Sequence, residues 1–361
     1  LNKFVDQIRA AIENTEPPFV FGVLGDWGTG KTSALNLLKD SLITKQNEKI
    51  YFVPIWFNAW LYENEANIVY PLLYAIKKDY EERLKFFDIT KDFGTGFLKV
   101  VAASTLALAD VGMRVASKQM IGEAVKLEDI KGHVKDVLDR PDEVEKVLSD
   151  WADQVAVLNG AYRKLIESYA TELALKEGVD RENIRFVILI DDLDRCLPRT
   201  AVTVLENIKN FLSTNKCIYV FGLNPKVVYQ GIRAKYQGLD IDGREYLEKI
   251  LNYSFHVPEP AVEDIYSFAI KSLEELLPEA ERAPYGDHFT TFGQVLKECR
   301  FNNPRKVKRI FNHYLFFVEK YASELSRYYM DNVVKLIVLA EYFPSVFAAL
   351  QNDDSRRELL K

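Results

Sequence analysis

Apolar positions Phe4, Val5, Ile8, Ala11 and Ile12 recur at helical spacing, so the chain opens with an amphipathic helix that Pro17 and Pro18 bring to an end. The run Phe19–Leu24 (FVFGVL) is continuously apolar and short, the pattern of a strand buried on both faces. A glycine-rich turn follows, then a helix carrying Leu35, Leu37, Leu38 and Leu42, then a second strand from Tyr51 to Phe57. Strand patterning stops from about 63 to 181, where the text reads as helices broken near Gly94–Gly96 and Pro141. It returns at Arg185–Ile190 and Cys217–Gly222, with a helix of Val202, Leu205, Ile208 and Leu212 between them and a short strand expected at Ser254–Val257. Beyond Pro258 the pattern is helical, including 307–321 and 333–343. Continuous apolar strands alternating with helices predict an α/β fold with a parallel sheet covered on both faces. The expected domains are a core of 1–62 and 182–258, a helical insertion of 63–181 and a C-terminal helical lid of 259–361.

Composition changes this picture little. The 361 residues are 48% hydrophobic and 28% charged, an ordinary globular balance with room for two or three domains. The three cysteines are odd in number and never paired as CxxC, which excludes a disulfide framework or thiolate zinc site and fits a reducing compartment. The four histidines lack metal-ligand spacing, so any metal is expected on oxygen ligands. The chain starts at Leu1 with a helix rather than a signal peptide, and a trimmed chain is expected. The most membrane-like stretch, 97–113, has Lys99 and Asp110 around only ten uncharged residues. A span needs about 20, so no integral membrane segment is predicted.

Chemistry concentrates at two places. Gly25-Asp26-Trp27-Gly28-Thr29-Gly30-Lys31-Thr32 fits GxxxxGK[ST] between a predicted strand and a predicted helix, the context the motif requires. Its glycines allow successive N–H groups to turn inward around phosphates at a helix N-terminus. Lys31 is expected to reach the β and γ phosphates, and Thr32 to supply a hydroxyl to Mg²⁺, with Ser33 following in the helix. Trp27 is expected to pack under the loop, with a place against the nucleotide as the alternative. The strand Arg185–Ile190 runs into Asp191-Asp192-Leu193-Asp194-Arg195, so acids begin at the carboxyl end of a parallel strand, where such sheets bind ligands. Asp191 is the expected Mg²⁺ partner, and Asp192 the group that orients or deprotonates water. Asp194 and Arg195 are open between function and local capping or ion pairing. Asn224, before Pro225, is a residue that holds the attacking water or an ordinary turn residue. Arg300 to Arg309 packs five cations into ten residues, and Pro304 at a helix start would place Arg305, Lys308 and Arg309 on one face. Arg305 is open between contacting nucleotide and lying on a solvated basic face.

Several stretches together resemble the KAP P-loop NTPases, relatives of the AAA and STAND ATPases in the additional-strand class: 25–33 (GDWGTGKTS), 57–63 (FNAWLYE), 190–196 (IDDLDRC), 245–250 (EYLEKI) and 303–312 (NPRKVKRIFN). The resemblance implies ATP as nucleotide and hydrolysis that drives a conformational or assembly switch. It also implies a homo-oligomer or partner protein and, since many relatives carry transmembrane helices where this chain does not, a cytoplasmic form. Some bacterial relatives act in phage exclusion or defence. A nucleotide-gated scaffold without turnover is the alternative from another class. A nucleic-acid-stimulated ATPase is less favoured, because the net charge is −6 and no aromatic-studded basic groove is written.

Overall fold

The computed structural model describes residues 1–44, 49–63, 69–84, 151–211, 214–237, 241–261, 303–321 and 327–351, with scattered positions between 263 and 298. The segment 97–113, Arg300 and Leu212 lie outside the described residues. The chain forms two compact units, one of residues 1–25 and 31–256, the other of 26–30 and 257–361.

In the first unit α1 (Asn2–Glu13) buries Phe4, Val5, Ile8 and Ile12, as its spacing predicts. Its buried Arg9 crosses to α2 (Lys31–Thr44), donating from Nη1 to the Ser41 carbonyl and hydroxyl. The sheet contains β1 (Phe19–Leu24), β2 (Tyr51–Asn58), β3 (Ile184–Asp191), β4 (Cys217–Leu223) and β5 (Tyr253–His256), all parallel, in the order β2-β3-β4-β1-β5. β4 therefore separates β1 from β3, which is the extra strand of the additional-strand class. Every residue of β3 from Phe186 to Ile190 is buried, the reason its sequence is continuously apolar instead of alternating.

Pro54 sits inside β2 and cannot donate to a ladder, yet β2 is an edge strand. Its carbonyl accepts from Arg83 Nη2 at 3.4 Å, so this residue's polar groups face away from β3 and the missing N–H costs no ladder bond. At the other edge Asn252 prepares β5, its N–H donating to the Val20 carbonyl and its Oδ1 accepting from the Val20 N–H, both at 2.9 Å. Helices α3 (Val69–Arg83) and α4 (Trp151–Glu177) are the described parts of the expected insertion. They join through the Tyr169 hydroxyl, which donates to Asp79 Oδ2 at 2.6 Å beside Arg83. α5 (Pro198–Phe211), α6 (Pro225–Lys235) and α7 (Gly243–Ile250) complete the unit. α6 crosses α5 at Gly231, where an added Cβ would lie 2.0 Å from the Pro198 carbonyl oxygen.

The register brings the carboxyl ends of four strands to one level. Asn58 stands opposite Asp191, Ile190 opposite Phe221, and Leu24 opposite Leu223, so Gly25, Asn58, Asp191 and Asn224 emerge along one sheet edge.

The second unit contains α8 (Pro304–Tyr321), α9 (Arg327–Tyr342) and α10 (Pro344–Gln351), with Val307, Ile310, Phe311, Tyr314, Val334 and Val338 in its core. Among the described residues no single helix is long and apolar enough to cross a membrane, and the α9–α10 pair is bent by 119°.

Candidate functional site

β1 passes into the glycine-rich loop through Gly25, whose N–H donates to the Leu223 carbonyl at 3.2 Å and so continues the ladder with β4 by one bond. Gly28 (φ 83°) and Gly30 (φ 100°) occupy the left-handed region closed to most side chains, whereas Gly25 does not. The Thr29 hydroxyl closes the turn on the Asp26 carbonyl at 2.9 Å. α2 begins at Lys31 with no acid in its first turn, leaving its first N–H groups and the positive end of its dipole for an anion. Trp27 is 56% exposed, so it does not pack under the loop as expected.

Lys31 is buried. Its Nζ donates to the Gly25 carbonyl at 3.0 Å and pairs with Asp194 Oδ2 at 2.9 Å, the two side chains being only 8% and 4% exposed. The loop lysine thus has a structural duty that its sequence position did not suggest, and Asp194 is its counter-ion rather than a helix cap. One residue on, the Thr32 hydroxyl donates to Asp191. Burial pushes the Asp191 carboxyl above its ordinary range, opposed by the bonds from Thr32 and from the Asp192 N–H, and its Oδ2 is buried with no hydrogen-bond partner. A hydroxyl beside a buried, incompletely partnered carboxylate suits a hard divalent cation that keeps water and phosphate oxygens as its other ligands.

Asp192 leaves the strand in the left-handed conformation (φ 57°, ψ 22°), uncommon for a residue with a side chain. Its carboxylate is held at both oxygens: Asn58 Nδ2 donates to Oδ2 at 3.0 Å, and Arg195 Nε pairs with Oδ1 at 2.7 Å. The Arg195 guanidinium lies over the Trp60 ring, 5.2 Å from its centroid. Asn58 Oδ1 also accepts from the Trp60 N–H at 3.0 Å, capping the single helical turn Ala59–Tyr62, and Glu63 Oε1 accepts from the Leu197 N–H at 2.5 Å. The stretches 57–63 and 191–197 are therefore one interlocked structure. Asn58, Trp60 and Glu63 lay in a stretch singled out only by resemblance; the available signal was a polar Asn ending an apolar strand.

Asn224 is buried, and its Oδ1 accepts from the Lys226 N–H at 3.0 Å as the N-cap of α6, with Pro225 in the first turn. The capping geometry is present, so a contact with a water or phosphate would fall to Nδ2. Ser33 is exposed in the first turn of α2.

In the second unit Asn303 Nδ2 donates to the Trp27 carbonyl at 2.7 Å while its Oδ1 accepts from the Lys306 N–H at 3.2 Å, capping α8. A Cβ at Gly28 would lie 2.5 Å from Asn303 Oδ1 and 2.8 Å from the Arg305 Cβ, so the loop and the start of α8 touch closely. Arg309 pairs with Glu341 at 3.1 Å and Lys306 lies 4.4 Å from the Tyr342 ring centroid, both local. Arg305 is exposed beside the loop.

Among the described residues no group of three His, Cys, Asp or Glu side chains is placed to hold a metal. Burial pushes the Cys196 and Cys217 thiols up to about 12 and about 11, which favours their protonated form.

A profile described as the KAP family P-loop domain matches residues 1–321. The chain is also similar to a Phage T7 exclusion protein of Escherichia coli (strain K12), 24% identical over 311 residues that make up 82% of this chain and 38% of that protein. The chain thus spans well under half the length of this relative.

Proposed function

We propose that this chain, which belongs to the KAP family of P-loop NTPases, binds ATP with Mg²⁺ on residues 25–33 and hydrolyses it to drive a conformational or assembly switch. The observation that carries the reading is the pairing of loop and strand end: Lys31 with Asp194, and Thr32 with Asp191, two consecutive residues of α2 meeting acids at the end of β3. Mg²⁺, when bound, neutralises charge on the phosphate oxygens. The residues fitted to hold it are Thr32 and Asp191, whose buried Oδ2 has no other hydrogen-bond partner.

The chain's own groups then divide the work. The N–H groups of the loop and of the α2 start hold phosphate oxygens, and Lys31 adds a point charge. Asp192 accepts the proton of the attacking water, which Asn224 helps to hold. Arg305, exposed beside Gly28, reports the γ-phosphate bound on that loop. The name of the Phage T7 exclusion protein supports a role for this chain in excluding bacteriophage, and we take the chain to act with further copies or a partner protein. A second reading, a nucleotide-gated scaffold with negligible turnover, is favoured by one observation: both Asp192 oxygens are already engaged, by Asn58 and Arg195.

Calorimetry with Mg-ATP tests the binding step. The natural chain is expected to bind and the double variant Lys31→Ala/Asp194→Ala, which removes both charges of the pair together, is expected to bind far more weakly. Equal affinities would remove the loop from the site.

A further inference from the structure

The structure shows Lys31, the side chain a phosphate must recruit, engaged in a buried ion pair with Asp194. A buried carboxylate stripped of its partner costs several kcal/mol unless it reaches water or finds another donor. Asp194 sits in the single helical turn Leu193–Arg195. The same turn carries Arg195, whose Nε holds Asp192 Oδ1 at 2.7 Å. The turn has two backbone bonds of its own, Arg195 N–H to the Asp192 carbonyl at 3.1 Å and Cys196 N–H to the Leu193 carbonyl at 3.3 Å, and its other ties run outward, through Leu193 in the core and the Leu197 N–H on Glu63 Oε1.

We propose that Asp194 is a nucleotide-exchanged counter-ion: ATP takes Lys31 from it, and the displaced carboxylate shifts the turn 193–195, drawing Arg195 off Asp192 and freeing that carboxylate for water. This rests on the nucleotide-binding reading above. Asp194 acts through Lys31 and Arg195 and is a positioning residue.

The sign of the effect separates this role from ordinary structural support. In Asp194→Asn, Lys31 loses an anion only in the nucleotide-free state, because phosphate replaces that anion in the bound state. The variant should melt lower than the natural chain without ATP, bind Mg-ATP at least about threefold more tightly, and gain more melting temperature from it. Asp194→Glu, which keeps the charge, should return affinity to the natural value. A second measurement needs no variant: hydrogen exchange of the natural chain should become faster at the 195–197 amides when Mg-ATP is added. Affinity that is unchanged or weaker in Asp194→Asn, or 195–197 amides that are unchanged or slowed by Mg-ATP, overturns the exchange. If the natural chain itself fails to bind Mg-ATP in calorimetry, the nucleotide reading falls and takes this inference with it.

Discussion

Lys31 answers to two demands, holding Asp194 in a buried pair and offering its charge to a phosphate. Because removing one partner of a buried pair strands the other, Lys31→Ala should destabilise the fold by about 3–5 kcal/mol, whereas Lys31→Ala/Asp194→Ala should recover most of that loss. Thermal melting of the two variants checks it; equal melting temperatures would mean the pair has no structural weight. The loop was legible because its chemistry is local, with glycines, lysine and threonine at fixed spacing between strand and helix patterns. The Asp192 clasp was not. Asn58 lies 134 positions away from Asp192, and only the pairing of β2 with β3 brings them together. Trp27 misled for a related reason, since an aromatic in a loop sequence does not say whether anything in the fold covers it.

Strands β1 to β4 were readable element by element, since burial writes continuous apolar runs; β5 at Tyr253–His256, a partly exposed edge strand, differs by one residue from the strand expected at 254–257. The order of the sheet is not local information. Pro54 signals an edge strand only once β2 is known to be one, and Asn252 opens β5 through bonds to a residue 232 positions earlier. Helix contacts carry the same lesson. Gly231 reads as an ordinary helical glycine, yet it lets α6 close to backbone distance on α5. Gly231→Ala should therefore destabilise the first unit by about 1–3 kcal/mol, where an open helical site would gain from the same change. Chemical denaturation decides between the two signs.

At the scale of the molecule, the chain is a KAP-family P-loop chain with a five-stranded parallel sheet and a helical second unit. The KAP resemblance that its sequence carried is matched by the family profile over residues 1–321. What a chain of this family acts on is written in no motif, because a P-loop specifies phosphate and not consequence. Turnover is tested most directly by phosphate release from Mg-ATP by the natural chain and by Asp192→Asn, with nucleotide binding measured on the same preparations. The natural chain should release phosphate, while Asp192→Asn should bind Mg-ATP normally and turn it over at least about a hundredfold more slowly, an amide being unable to accept the proton of water. A natural chain that binds Mg-ATP without releasing phosphate, or an Asp192→Asn that matches its rate, would contradict the account.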